Sequence, residues 1–402
     1  MIKILMVVIS SFPLDVRVRR ESEALIEAGY AVDVICRTAR NEPRRDKVKG
    51  INVFRIALDR KRAGKFQYLF EYAYFFVRAF LKVNLLYFKN RYDIIHVHNM
   101  PDFLVFTAII PKMLGAKVLL DLHDPMPELY TSMSAKKEKS LLYKMLIIQE
   151  KLCIGFANHI ITPNIAFKEL FAGRSCPAEK VTIVMNSPDE KIFRNDITAE
   201  RNDNSYRVMY HGTIVERHGL DIALKAINKI RDKIPNLKFL IFGDGNFIPA
   251  VKKLITELSL QNIVELRGTV IVDQIALTIP AIDVGVIPNR INSFTKKNFP
   301  VRIFEYLVMG KPVIVPRTDG ILDYFDEDSI FYFEAGNTED LANKILEVYF
   351  DTERKDTVVK NGIKILDKFR WEKQKYNLIN IVNNLCGKNN SSEVFNTKLN
   401  LK

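Results

Sequence analysis

The sequence predicts an α/β protein of two Rossmann-like domains, each a parallel sheet wrapped in helices. Three observations carry this. The chain has 402 residues, too many for one ordinary core, so two domains are expected. It opens on a β-α-β pattern, and parallel β-α-β units imply an α/β sheet. A second strand–helix series then restarts at residue 206, after a polar stretch. Composition agrees, since 48% apolar and 27% charged residues describe a globular chain.

In chain order, residues 1–9 read as a first strand and Val16 to Ala28 as a helix ended by Gly29. Tyr30 to Cys36 reads as a second strand. The loop between strand and helix, Ser10 to Asp15, has no glycine, which weighs against a dinucleotide-binding enzyme. Residues 66–90 form a basic, aromatic helix. It includes Phe66, Tyr68, Leu69, Phe70, Phe75, Phe76 and Phe80 among Lys65, Arg78, Lys82 and Lys89, with Arg91 and the cluster Arg60-Lys61-Arg62 beside it. Such a helix fits either a core position on the sheet or an anionic bilayer surface.

Two buried strands follow at 93–98 and 117–121. They end in His96, His98 and Asn99, and in His123, Asp124 and Glu128. Polar residues at the carboxyl ends of parallel strands are where open α/β sheets bind ligands. The His-x-His pair suggests metal. Two alternate residues on one strand are only part of a ligand set, and no third ligand clusters with them. No metal is therefore expected there, and no Asp-x-Asp metal motif is read in the chain, so no divalent ion is expected to be required. Strands at 160–164 and 181–186 complete the first half.

The expected organisation is an N-terminal domain over 1–190, a polar linker over 191–205 that includes Glu200 and Asn202, and a C-terminal domain over 206–370. A helix at 371–386 crosses back to the first domain, and a disordered tail spans 387–402. Within the second series the predicted strands are 206–211, 237–242, 263–266 and 283–287. The predicted helices are 219–233, 247–259, 271–279, 338–350 and 357–386.

Three loops of that series concern anions. Gly212 to Gly219 carries Thr213, Arg217 and His218 into a helix N-terminus, an anion cradle. Gly243-Asp244-Gly245 follows the next strand; it matches Gly-x-Gly-x-x-Gly only in part, because position 248 is Ile. The third stretch, Pro300 to Val315, reads as a short helix, a Gly310-Lys311-Pro312 turn and a β-branched strand. On its helix Arg302 and Glu305 stand three residues apart, on one face. Alone they read as a surface ion pair. Beside the other loops, and with Pro300 and Val301 at the helix start, they read as the two ends of a nucleotide site: phosphate at Arg302, sugar hydroxyls at Glu305. Two α/β domains facing a central cleft, with phosphate loops in the second, suggest a nucleotide-linked donor.

Net charge is +13, concentrated early. Residues 1–200 hold 31 Lys+Arg against 22 Asp+Glu, and residues 51–100 hold 9 against 3. That balance implies an anionic partner, although no nucleic-acid-binding motif is present. The four cysteines, Cys36, Cys153, Cys176 and Cys386, have no C-x-x-C spacing, which fits a reducing compartment and no disulfide framework. The apolar start is too short for a signal peptide, and no apolar run is long enough to span a membrane. A cytoplasmic protein, peripheral on the inner membrane face, is the resulting expectation.

Together these segments resemble the retaining glycosyltransferases of family 4, with the GT-B fold, over residues 1–385. The matching segments are Asp15 to Glu21, Ala28-Gly29-Tyr30, Val32 to Ile35, Asp121-Leu-His123-Asp124, Val181 to Asn186 with Asp189 and Phe193, Gly212 to Gly219, Phe242 to Gly245, Arg267-Gly268, Asp283 to Pro288 and the 300–315 stretch. The resemblance implies transfer of a sugar, with retention, from a nucleoside-diphosphate sugar to a hydroxyl of a glycan or lipid-linked acceptor, as in surface-polysaccharide assembly. It assigns catalysis to His123, Arg217 and Arg302. Donor binding falls to Gly212, Thr213, His218, Gly243, Asp244, Pro300, Val301 and Glu305, with Glu305 on the ribose. Asp15, Arg17, His98, Asn99 and Asp124 fall on the acceptor side. No cofactor is implied beyond the nucleotide-sugar co-substrate.

Two departures stand out. Lys297 occupies the position of the first carboxylate of the E-x7-E signature, with Asn298 and Glu327 the nearest substitutes. Thr213 and His218 stand where an Arg/Lys pair is usual, and the stretch matches a Pro-x-Lys-x-x-Glu-Tyr variant with Arg302 at the Lys position. The alternatives are an inactive GT-B nucleotide-binding partner protein and a nucleotide-sugar epimerase.

Overall fold

The structure is a computed structural model. Its described residues are 1–39, 42–58, 65–133, 140–199, 201 and 203–388, without the side chains of Lys65, Phe66, Tyr68 and Leu69. The Arg60-Lys61-Arg62 cluster, Glu200, Asn202 and the tail beyond Lys388 lie outside them. The chain divides into two compact units, Met1–Asn186 with the segment from Glu372 onward, and Ser187–Trp371.

The first unit holds strands β1 (Lys3–Ser11), β2 (Ala31–Arg37), β3 (Arg45–Val48), β4 (Ile51–Ile56), β5 (Ile94–His98), β6 (Lys117–Asp121), β7 (His159–Thr162) and β8 (Val181–Ile183). They form one sheet in the order β3-β4-β2-β1-β5-β6-β7-β8, parallel except for the β3–β4 pair. Its helices are α1 (Val16–Glu27), α2 (Lys65–Asn90), α3 (Ile109–Met113), α4 (Met126–Ser132), α5 (Leu141–Phe156) and α6 (Ile165–Arg174), with a 3₁₀ turn at Asp102–Ala108 before α3. The β3–β4 hairpin is absent from the sequence reading. β3 is Arg-Asp-Lys-Val and almost wholly exposed, so no apolar period marks it.

The second unit has β9 (Tyr206–His211), β10 (Leu237–Phe242), β11 (Val264–Gly268), β12 (Val284–Val286), β13 (Val313–Pro316) and β14 (Phe331–Phe333), in the all-parallel order β11-β10-β9-β12-β13-β14. Its helices are α7 (Leu220–Ile230), α8 (Ile248–Glu257), α9 (Val272–Thr278), α10 (Arg302–Val308), α11 (Asp319–Leu322), α12 (Thr338–Phe350) and α13 (Thr352–Leu366). Val208, Phe239, Ile241, Leu224 and Ile227 are fully buried in its core. Each contributes about 1.5–3 kcal/mol by leaving water.

One predicted helix is two. The 357–386 pattern breaks between α13 and α14 (Trp371–Leu385). Phe369 leaves the helical path and packs its ring 5.1 Å from Tyr324 and 6.2 Å from Phe304. Past that break α14 joins the first unit: Gln374 Oε1 accepts the Met185 N–H at 3.0 Å, and the Tyr30 hydroxyl donates to Asn383 at 2.7 Å.

Both sheets reverse direction at their first strand. β1 lies between β2 and β5, and β9 lies between β10 and β12. The carboxyl ends beside such a switch point are the ligand sites of open α/β sheets. In these units they are Ser11 and His98 in one, with Asp121 on the next strand, and His211 and Phe242 in the other.

Candidate active site

The site of the second unit is built on glycines. β9 runs into Gly212 and β10 into Gly243, with φ of 129° and 138°, a region L side chains rarely adopt. The two turns lie so close that a Cβ on Gly243 would stand 1.9 Å from the Gly212 carbonyl oxygen. One on Gly245 would stand 2.0 Å from the Ile214 carbonyl oxygen. Gly212 N–H donates to Phe242 C=O at 3.0 Å and Ile214 N–H to Asp244 C=O at 2.9 Å, tying the loops together. The Asp244 carboxylate is spent locally, accepting the Gly245 N–H at 2.8 Å.

Over this glycine platform lies α10. Arg302 donates through Nη1 to the His211 carbonyl, and its guanidinium sits 4.9 Å from the Tyr210 ring centroid. A Cβ on Gly212 would meet that Nη1 at 2.9 Å, so the glycine makes room for the arginine as well as for a ligand. Glu305 does not pair with Arg302. Its Oε2 is 2.6 Å from His211 Nε2, and His211 Nδ1 is 2.9 Å from the Tyr306 hydroxyl, which donates to Met209 C=O at 3.1 Å. The ring of Tyr306 fills the space a Cβ on Gly285 would need, 2.6 Å away. His211, unassigned in the sequence reading, is therefore the joint that fixes both Arg302 and Glu305.

The 216–218 turn is held from below. Arg290 N–H donates to Arg217 C=O at 2.9 Å, and the Arg290 guanidinium pairs with Asp221. Gly219 closes the turn at φ 67°, under the Pro288 carbonyl. His218 Nδ1 lies 2.7 Å from Thr213 C=O. Burial, and then the Arg302 charge, push the His218 imidazole down to about 3. Pro300 and Val301 offer carbonyls that start α10, accepting the Ile303 N–H at 3.0 Å and the Phe304 N–H at 2.9 Å.

A stability prediction follows for His218. Its folded value, about 3, lies below the unfolded value of about 6.5. Between the two, only the unfolded chain binds the proton, so stability falls as pH drops through that window, by at most about 1.4 kcal/mol per unit. His218→Gln is expected to flatten the urea midpoint against pH over that range; an unaltered slope refutes the assignment.

Lys297 is a structural residue on the backbone side, since its carbonyl closes against Gly320 at 2.4 Å from where a Cβ would be. The two suggested substitutes are held as follows. Glu327 pairs with Arg317, and the Asn298 N–H continues a turn to Phe294 C=O at 3.0 Å. Contrary to the expectation that no Asp-x-Asp motif is present, Asp326-Glu327-Asp328 has that spacing; Asp326 serves its own turn, accepting the Asp328 N–H at 3.2 Å and donating its N–H to Ser329 Oγ at 2.9 Å.

In the first unit, β5, β6 and α1 bring Glu21, His96, His98, Asp121 and His123 together. Asp121 Oδ2 lies 2.9 Å from His98 Nδ1 and 2.5 Å from His123 Nε2. The His98 ring stacks near-parallel on His123, centroids 6.1 Å apart, and lies 4.2 Å from His96. Glu21 Oε2 is 3.8 Å from His96 Nε2. Burial would raise Asp121, but the neighbouring His123 and His98 hold it well below the usual carboxylate range. Burial, reinforced by the Asp121 charge, pushes Glu21 up. Burial and the Arg17 charge push His123 down.

This corrects the expectation that the His-x-His pair lacks further ligands. Glu21, His98, Asp121 and His123 each offer one ligand atom, all within 4.8 Å of one another. They could hold a cation. The spacing along the chain hides this because the four come from three elements.

The remaining acceptor-side residues frame the cluster. Asn99 accepts the His123 N–H at 2.9 Å and donates to Asp102 at 3.0 Å and to Asp124 C=O at 2.8 Å. Asp15 caps α1 by accepting the Arg17 N–H at 3.2 Å and pairs with its guanidinium. Burial would raise the Asp15 carboxyl, but Arg17 holds it below the usual range. Glu128 serves structure, paired with Arg174 at 2.5 Å.

Comparison with known proteins decides what these units are. Residues 14–187 match the glycosyl transferase 4-like domain, and residues 205–351 match glycosyl transferases group 1. The chain is built from two glycosyltransferase domains in a GT-B fold. A sulfoquinovosyl transferase of Arabidopsis thaliana is 23% identical over 292 residues, 69% of this chain and 54% of that protein, so the chain spans about half the length of this relative. Among solved structures, sucrose-phosphate synthase from Thermosynechococcus elongatus superposes with a TM-score of 0.81 at 18% identity, over 97% of this chain and 100% of its own. HepE of Anabaena in complex with UDP and glucose gives 0.70 at 16%, over 95% and 99%.

Proposed function

We propose that this glycosyltransferase moves a sugar, with retention at the anomeric carbon, from a nucleoside-diphosphate sugar to a hydroxyl of a glycan or lipid-linked acceptor. The observation carrying the donor half is Arg302 held over the Gly212–Gly243 platform by His211 and Tyr210. Glycine amides and a fixed guanidinium suit a diphosphate, and Glu305, held by His211, suits ribose hydroxyls. In transfer, the bond from the anomeric carbon to the diphosphate breaks with its electron pair, the acceptor oxygen bonds to that carbon, and the acceptor's hydroxyl proton passes to the departing diphosphate oxygen. Arg302 and Arg217 stabilise the charge left on the diphosphate. His123 and the residues Asp15, Arg17, His98, Asn99 and Asp124 are assigned to the sugar and acceptor side.

A thermal-shift screen of UDP-, GDP-, ADP- and dTDP-sugars tests this. A ligand at about 100 times its Kd adds roughly 2.7 kcal/mol, and no shift with any of the four refutes the donor site. The proposal requires no metal, so transfer is expected to survive EDTA unchanged. Loss in EDTA that a divalent ion restores would instead assign an ion to the Glu21–His98–Asp121–His123 cluster.

A further inference from the structure

The helices of the first unit that follow β4, β5 and β6 share an unusual surface. On α2 the buried stripe is Phe75, Ala79, Val83 and Leu86, at helical spacing. A second apolar stripe runs along the same helix in solvent: Phe70, Val77, Leu81, Leu85 and Phe88, with Leu85 64% and Phe88 58% exposed. On α5 the exposed stripe is Leu141, Met145, Ile148 and Leu152, spaced four, three and four, again one face. Between them the Asp102–Ala108 turn packs against both α2 and α5 and continues into α3, where Met113 is 80% exposed and Leu114, just past the helix end, 48%. Soluble proteins rarely expose contiguous apolar area beyond a few hundred Å², and larger patches mark interaction surfaces.

Charge identifies the occupant. Of the described basic side chains on α2, α3 and α5, Lys82 lies over the Phe54 ring and Lys112 donates to the Phe156 carbonyl, while Arg78, Lys89, Lys144 and Lys151 are exposed. The acidic ones on these elements and the connecting turn, Glu71, Asp102 and Glu150, are each at most 3% exposed. Glu150 is turned inward by Arg174 at 2.5 Å and Ser175 at 2.6 Å. The surface therefore presents apolar side chains and positive charge with its carboxylates withdrawn. A second copy of this chain would bring like charges together, at a cost in repulsion. No described helix is long and apolar enough to cross a membrane.

We infer that the α2–α3–α5 face docks on an anionic lipid bilayer, its exposed apolar stripes entering the headgroup boundary and Arg78, Lys89, Lys144 and Lys151 meeting lipid phosphate. The inference stands independently of the glycosyl-transfer reading.

Vesicle sedimentation of the full chain tests it, with phosphatidylcholine alone and mixed with phosphatidylglycerol. Binding is expected only to the mixture, falling steeply with salt. The variant Lys144→Glu, Lys151→Glu is expected to bind at least about 25-fold more weakly, near 5-fold for each lysine lost. The variant Leu85→Glu, Ile148→Glu should lose binding while keeping its circular dichroism and donor-induced thermal shift. Leu277→Glu, exposed on α9 of the other unit, should bind as the parent does. Equal affinity for both vesicles, or no binding, overturns the inference. So does a dimer in sedimentation velocity that Leu85→Glu, Ile148→Glu dissolves without any vesicle binding, which would give the face to a second copy.

Discussion

Arg302→Ala is expected to lower transfer by about 10²–10³-fold, the usual cost of removing one preorganised donor from a developing negative charge. The reason lies in how the side chain is held. A guanidinium has five N–H donors in a planar fork. Here Nη1 is anchored on the His211 carbonyl and the plane rests against Tyr210, so the group does not reorganise when charge develops. Arg302→Lys keeps the charge and loses both the fork and the stacking, so it should recover only part of the rate. Steady-state kinetics with the best donor from the thermal-shift screen would decide, with the fall expected mainly in kcat. An Arg302→Ala enzyme within about threefold of the parent would remove this residue from the chemistry, because loss of a preorganised donor to the leaving group costs far more than that.

The same residue shows what reading along the chain reaches. The α10 helix, its Gly310 cap at φ 69° and the β13 strand stand where spacing and turn chemistry put them. Local signals specify them, and tertiary packing only confirms them. The pairing of Arg302 with Glu305 follows equally from spacing, yet it does not occur, because His211 arrives from β9, 94 positions from Glu305, and takes the carboxylate. Periodicity carries no information about a partner on another strand. β3 was illegible for a related reason: an exposed edge strand of charged residues has no alternation to read. On α2 one stripe of the helix is core and the opposite apolar stripe is exposed, a division that aromatic content alone does not reveal. Glu21 is the sharpest case. A charge in an Arg/Glu-rich helix reads as solvated, but it is 4% exposed beside Asp121. Only the crossing of α1 over the ends of β5 and β6 reveals it.

Asp121 gives the second large prediction. Its Oδ2 touches both His98 and His123, and the side chain is buried at 2% exposure. Removing one member of a buried charge network leaves the others uncompensated, at about 3–5 kcal/mol, so Asp121→Ala should lose that much in urea unfolding. Asp121→Asn keeps the shape and loses the charge that orients the two imidazoles. Transfer should fall by about 10²–10⁴-fold if His123 moves a proton or positions the sugar. The pH dependence separates this from simple damage. Asp121 is held below its unfolded value of about 3.9, so its stabilisation is present above that value and lost as pH falls through the folded one. Glu21 is shifted the opposite way, so it costs stability as pH rises above its unfolded value of about 4.3. Asp121→Asn should therefore lower stability at neutral pH and flatten the acid limb, while Glu21→Gln should raise stability at neutral pH and leave the acid limb steep. Parallel curves for the two variants would mean that these carboxylates do not share one buried site.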